Sequence, residues 1–380
     1  MKLQQVIVDK VNLETVLYST DQFNAQNANL VLAFGERTFL ESSSPYKKLR
    51  GLYPNAQIVI CSTSGQISHT NLVENSLVAT SIQFDKSTIK VTEIDIILNS
   101  DIKELGNKIK DDLLSDGLKS ILIISEGSFI NGTELINELI FQTKESVPIF
   151  GGLAGDEYYF EKTVVGLNHD ASPGKVVAVG FYGDALHFGF GSEGGWSDFG
   201  PEREVTHSDK NVLYKIGDRS ALDLYKEYLG KYADELPSSS LYFPLSMKEN
   251  KDSEPVVRTI LSIDEDKKSM TFAGNIPIGS SVRFMKGNID KLIDASYHAA
   301  AEIYKNQDDQ PELAFLVSCV GRKIVLGNRI EEEIEVVKEV FGNEMLVCGF
   351  YSYGEISPTQ NKVACELHNQ TMTLTTISES

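Results

Sequence analysis

VPIFGGLAGDEYYF, Val147 to Phe160, is the stretch on which the reading of this chain turns. An apolar strand runs into Gly151, Gly152, Leu153, Ala154, Gly155 and Asp156, and then into two tyrosines and a phenylalanine. Three glycines in five residues let the backbone turn sharply and let another group come close to it. That group is a phosphate, a metal, a small ligand or another part of the protein.

The same arrangement recurs along the chain. Asn29 to Phe84 reads NLVLAFGERTF, a helix-like stretch, QIVICSTSGQI and LVATSIQF. Ser120 to Gly183 reads SILIISEGSF, TELINELIFQT, VPIFGGLAGD and KVVAVGFYG. Leu313 to Ile377 reads LAFLVSCVGRKIVL, IEEEIEVVKEVF, MLVCGFYSYGEI and NQTMTLTTI. Each unit predicts a buried strand, a polar or glycine loop, an amphipathic helix, a second buried strand, a glycine-rich loop and a third strand. Leu135, Ile136, Leu139 and Ile140 carry the helical spacing. The first strands are near-continuous aliphatic runs, as suits strands covered on both faces. The fold class is therefore α/β, mixed α+β: repeated strand-helix-strand-loop-strand units that form mixed sheets with helices on their faces. Further helices are expected over Ile102 to Leu114 and Leu292 to Tyr304, with a hairpin turning at Asp264 to Ser269. A change of character in the Gly-, Pro- and charge-bearing segment after Gly195 places a domain boundary just after Ile216. This gives two domains, 1–216 and 217–380.

A net charge of −19 speaks against nucleic-acid binding and against an anionic membrane surface, since both need a cationic face. No run approaches the roughly 18 apolar residues of a membrane helix, and MKLQQVIVDKVNLE does not read as a signal peptide. A soluble, cytoplasmic protein is expected. The four cysteines, Cys61, Cys319, Cys348 and Cys365, form no C-x-x-C pair and lie in apolar runs, as buried reduced thiols do.

GGLAGD lacks the lysine of a phosphate loop and does not open a helix, so classical nucleotide binding is disfavoured. The metal reading rests on Asp156 and Glu157 alone, and the acidic turn at 264–269 lacks the glycine and glutamate of a calcium loop. No G-x-S-x-G elbow or nucleophile signature is present. Arg322 near Cys319 would favour a thiolate, but Cys319 ends an apolar strand and packing accounts for it. The chain is not expected to be an enzyme.

If the units stack alike, the loops after their second strands converge. Those loops hold Ser62, Thr63 and Ser64; Gly151, Gly152 and Asp156; and Tyr351, Ser352, Tyr353 and Glu355. Small residues, hydroxyls, rings and carboxylates suit a small polar molecule carrying an amine, and Arg322 would answer a carboxylate on it. The candidate ligand-binding set is Gly151, Gly152, Asp156, Cys319, Arg322, Tyr351, Tyr353 and Glu355.

At these residues the sequence resembles the FIST family, a sensory and signal-transduction domain pair. VPIFGGLAGD is similar to the hallmark of its N-terminal half, while FLVSCVGRKIVLG, VCGFYSYGEISP and LHNQTMTLTTI are similar to the signature of its C-terminal half. The likeness runs from about Asn29 to Ile377. It implies a stand-alone bacterial sensor that binds a small ligand, amino acids among the candidates, and signals to a partner such as a histidine kinase or a cyclic-dinucleotide enzyme. It implies no obligatory cofactor. A haem-binding, nitric-oxide-sensing variant of the family is an alternative. Of His69, His169, His187, His207, His298 and His368, only His368 lies in a family-like stretch and is the axial candidate. A ligand-free adaptor is the further alternative. The ligand is expected to enter between the two halves and change their packing.

Overall fold

The repeated unit is real, and each copy carries a leading strand ahead of those the sequence pattern showed. A computed structural model describes residues 1–9, 14–96, 101–143, 147–307, 310–358 and 365–380. The first unit comprises β1 (Lys2–Val8), β2 (Glu14–Ser19), β3 (Leu30–Gly35), α1 (Arg37–Ser43), α2 (Tyr46–Leu52), β4 (Gln57–Ser62), β5 (Gln66–Ser68), β6 (Asn71–Val73) and β7 (Leu77–Gln83). The second comprises β8 (Thr88–Asp95), α3 (Ile102–Leu113), β9 (Leu118–Ser125), α4 (Gly132–Thr143), β10 (Ile149–Leu153), β11 (Val165–Leu167) and β12 (Lys175–Tyr182).

The third unit opens with β13 (Leu186–Glu193) and is then interrupted by a separate lobe. The lobe holds β14 (Ser197–Asp209), β15 (Val212–Ile216), β16 (Arg219–Ser220), α5 (Ala221–Leu229), β17 (Leu245–Lys248), β18 (Val256–Arg258), β19 (Ile260–Asp264), β20 (Ser269–Phe272) and β21 (Ser281–Lys286) in one eight-stranded sheet. The unit resumes with α6 (Ile289–Asn306), β22 (Leu313–Cys319), α7 (Val320–Leu326), α8 (Glu332–Phe341), β23 (Leu346–Ser352), β24 (Gly354–Pro358), β25 (Cys365–His368) and β26 (Met372–Glu379). Among the described residues no helix is long and apolar enough to cross a membrane.

All three units pair their strands alike. The first and second buried strands run parallel, as β3–β4, β9–β10 and β22–β23. The last strand lies antiparallel on the first, and the leading strand antiparallel on the last. Each six-stranded sheet is then completed by short strands from a different unit. β11 of the second unit pairs with β4, β24 of the third with β10, and β5 of the first with β23.

Period-two alternation explains why the sheets face one another. Leu30, Leu32 and Phe34, Leu122 and Ile124, and Leu313, Phe315 and Val317 point into one shared core. The residues between them, such as Val31, Ile123 and Leu316, pack outward under the helices and loops of their own unit. Rings close the centre: Phe34 stacks on Phe350 at 4.8 Å, and Phe150 meets Phe315 edge-on at 6.0 Å.

What approaches the glycines of the opening stretch is the protein itself. A Cβ on Gly151, at φ +134°, would lie 1.9 Å from the Ile123 carbonyl oxygen. Gly349, at φ +153° in the matching place of the third unit, would lie 1.8 Å from that of Leu316. Gly152 faces Val317 and Phe350, and Gly155 faces Ser64. The first and second strands thus meet more closely than any side chain permits.

The expected boundary after Ile216 falls at the end of β15, inside the lobe's sheet. The two halves of the chain are interlocked, because β5, β10 and β13 of the first half pair with β23, β24 and β26 of the second.

Gly151→Ala and Gly349→Ala should each cost about 3 kcal/mol or more, from overpacking against backbone and a left-handed φ. Gly51→Ala, with nothing within 4 Å, should be neutral or slightly stabilising. Urea unfolding midpoints check this, and a tolerated Gly151→Ala would contradict the close approach.

Candidate functional site

The loops after the second strands do converge, and they bond to one another in a ring. Ser64 N–H donates to the Tyr351 carbonyl at 2.8 Å, Tyr353 N–H to that of Leu153 at 3.2 Å, and Gly155 N–H to that of Ser62 at 2.9 Å. Above these strand ends lies a cleft of about 1280 Å³ between the three-sheet body and the lobe. The carboxyl ends of parallel strands are where open α/β sheets receive ligands.

The body contributes the β9–α4 loop from Gly127 to Asn131, Cys319, Val320, Gly321, Lys323 and Ile324 at the start of α7, and Leu72, Glu74, Leu153, Tyr158, Phe160 and Tyr353. The lobe contributes residues from Glu235 to Tyr242, Thr259 to Leu261, Asn211, Phe272 and Ala273. Both halves of the chain therefore line the cleft.

Its wall is unusually aromatic for a surface in contact with water. Phe129 is 67% exposed, Tyr158 54%, Phe160 45% and Tyr242 43%. Phe160 holds a left-handed backbone, φ +53°, and stacks on Tyr353 at 4.6 Å. A bulky residue pays for that conformation and keeps it only where its surroundings enforce it. Here the Tyr353 hydroxyl accepts from Phe160 N–H at 3.1 Å. Thr259, a lining residue, is buried, and its hydroxyl has no hydrogen-bond partner among the described residues.

Arg322 and Lys323 are neighbours on α7 and face opposite ways. Arg322 is fully buried and spent within the fold. Its guanidinium pairs with Glu333 at 2.8 Å and donates to the carbonyls of Gly194 at 2.7 Å and Leu292 at 2.8 Å. Glu333 also accepts from the Tyr351 hydroxyl at 2.7 Å and from Ser318 at 3.1 Å. Arg322 and Tyr351 thus tie α6, α7, α8 and β23 together, and neither is open to a ligand's carboxylate. Removing one partner of such a pair leaves a buried charge, at about 3–5 kcal/mol.

Lys323 instead reaches toward the ring of loops. Its ammonium donates to the Ser64 carbonyl at 2.7 Å, Glu74 at 2.6 Å and Glu157 at 3.1 Å, and lies 5.3 Å from the Tyr158 ring centre. Burial works against its charge, yet the two carboxylates outweigh burial and hold it above the ordinary lysine value. Burial raises Glu157, and Lys323 only partly offsets it.

Of the remaining expected residues, Cys319 and Tyr353 line the cleft. Gly151 and Gly152 lie within the sheet. Asp156 is buried, pairs with Arg37 at 2.6 Å and accepts from Lys162 N–H at 3.2 Å. Glu355 is buried beside the Cys319 thiol, accepting from Ser352 Oγ at 2.7 Å and Thr371 N–H at 3.2 Å. Burial pushes its carboxyl up to about 8. The Cys319 thiol is raised by burial and then by Glu355. His368 is also buried; desolvation first and Arg258 second push it down to about 4.

Sequence reasoning missed Lys323, Glu126 and the lobe's share of the wall. The buried Glu126 carboxylate accepts from Ser128 N–H and Phe129 N–H, both at 2.9 Å, and so shapes the Gly127–Asn131 wall. The only signal for it was a carboxylate ending an apolar strand. Among the described residues no group of His, Cys, Asp and Glu is placed to hold a metal ion.

The FIST N domain matches residues 29–219 and the FIST C domain matches residues 221–358. The chain belongs to the FIST family. FIST domains are generally sensory and signal-transduction domains. Among curated proteins none matches the chain. One solved structure, a cyanuric acid hydrolase from A. caulinodans, is similar at 6% identity and a TM-score of 0.38, over 94% of this chain and 91% of that one. At that score it carries no weight on fold or activity.

A raised carboxyl makes the FIST chain's stability fall with pH. Folded Glu355 keeps its proton from the ordinary 4.5 up to about 8, so its contribution is complete below 4.5 and is lost as pH rises through 8. His368, neutral when folded, contributes above its ordinary 6.5 and is lost as pH falls through 4. The two oppose each other between 4.5 and 6.5, so Glu355 dominates from 6.5 to 8. Glu355→Gln should flatten the wild-type loss there, on the order of 2 kcal/mol at about 1.4 kcal/mol per unit. Urea unfolding across this range checks it, and parallel profiles would mean that Glu355 is already ionised in the fold.

Proposed function

We propose that this FIST protein is a sensor without turnover, whose small ligand seats in the cleft between the lobe and the three-sheet body. The observation that carries this reading is a cleft walled by exposed rings, lined by both halves of the chain, and holding a buried Thr259 hydroxyl that lacks a partner. Concave sites with apolar walls and a few placed polar groups are where small molecules bind. A ligand there touches body and lobe together and favours whichever lobe position it contacts best. The lobe then presents the signal to a partner protein in the cytoplasm, a histidine kinase or a cyclic-dinucleotide enzyme being the classes implied by the family.

Binding rather than catalysis fits Cys319, whose raised thiol is a poor nucleophile. A haem axial role does not fit His368, which is buried beside Arg258 with Nε2 3.4 Å from the Ser357 carbonyl. Among the described residues no histidine lines the cleft.

Thermal unfolding against amino acids, nucleotides and haem tests the proposal. A bound compound at about a hundred times its dissociation constant should add roughly 2.7 kcal/mol. Thr259→Val and Tyr158→Ala should each weaken that compound about tenfold, roughly 1.4 kcal/mol. Unchanged affinity in both variants would place the ligand elsewhere.

A further inference from the structure

We infer that the cleft takes an organic cation, an ammonium carried on an aromatic or other apolar body, in preference to an anion or a zwitterion. The inference rests on the cleft's being the ligand site, and it comes from the balance of charges and ring faces there.

Among the described residues Lys323 is the one cation that lines the cleft. An ammonium has three donors, and those of Lys323 go to the Ser64 carbonyl, Glu74 and Glu157. Its single charge is already opposed by two carboxylates. Arg322, one residue away, is buried against Glu333. Among the described residues a ligand carboxylate thus meets no free cationic side chain.

The opposite charge is available. Glu235 stands on the lobe's side of the cleft, exposed and without an ion-pair or hydrogen-bond partner among the described residues. Glu74 keeps nearly half its side chain exposed beside Lys323. Ring faces add to this preference, because the π-face of a tyrosine or phenylalanine attracts cations. Tyr158 already lies under one, the Lys323 ammonium at 5.3 Å, while Phe129, Phe160 and Tyr242 present rings to the solvent. The protein's net charge of −19 further raises the local concentration of cations at its surface. The Thr259 hydroxyl can accept from an ammonium N–H.

Three probes that share one aromatic body separate the possibilities: 2-phenylethylammonium, L-phenylalanine and 3-phenylpropionate. Calorimetric titration of the full chain at low salt should place the ammonium about tenfold tighter than either of the others, about 1.4 kcal/mol. Glu235→Gln should weaken the ammonium about threefold and leave the propionate no weaker, and added salt should narrow the difference. Phenylalanine or propionate binding as tightly as the ammonium would overturn the inference. Should none of the three bind while another compound binds in a Tyr158-dependent way, the inference falls and the cleft remains the ligand site. Should nothing bind, both fall.

Discussion

Three backbone hydrogen bonds around a common centre organise this molecule. Ser64 donates to Tyr351, Tyr353 to Leu153, and Gly155 to Ser62, so the first unit leans on the third, the third on the second and the second on the first. The strand exchange runs the same way, with β5 on β23, β24 on β10 and β11 on β4. Among the described residues no unit completes its own sheet. A buried strand edge left without its exchanged partner would strand N–H and C=O groups away from water, so the three units must assemble together. Moving the two halves of the chain as rigid bodies would break three ladders of the body and three more within the lobe. The lobe, entered through Gly194 and Gly195 and left through Gly287, is the part whose displacement leaves those ladders intact.

This ring also settles what the charged residues at its rim do. A cation placed near converging carbonyls and carboxylates is retained even when buried, which is the situation of Lys323 between Ser64, Glu74 and Glu157. It joins all three units through one ammonium. Arg322 performs the equivalent task on the outer side, where its planar donors satisfy Glu333 and two carbonyls at the base of the lobe. The two cations hold the frame on either side of α7.

Much of the frame was legible. Aliphatic first strands, glycine-rich second-strand loops and helical periodicity identified the repeated unit, because those patterns follow from burial and local geometry. The exchanged strands were not legible. Gln66–Ser68 and Val165–Leu167 are three residues each, too short for any periodicity, and they become strands only because an edge of another unit is waiting. The leading strands β1 and β8 escaped because nothing local distinguishes them from connections. At the site, convergence of the loops followed from the repeat, but the choice of Arg322 over Lys323 did not. Successive helix residues point about 100° apart, and only the packing of α7 decides which of the two faces the loops.

The lobe explains why this cleft forms at the end of a threefold frame. The loops that follow the first strands come from all three units, and an uncovered frame would present three similar shallow ends. Residues 197–287 interrupt the third unit alone and fold over the side where Gly127–Asn131 and Cys319–Ile324 lie. The repeat supplies a rigid floor, since its glycines and backbone ring leave little room to shift. The interruption supplies the wall with Thr259, Tyr242 and Glu235, which are free of the ring's constraints. A rigid floor and an independently attached wall are what a sensor needs, because a ligand bound between them shifts an equilibrium only if one side can move while the other stays.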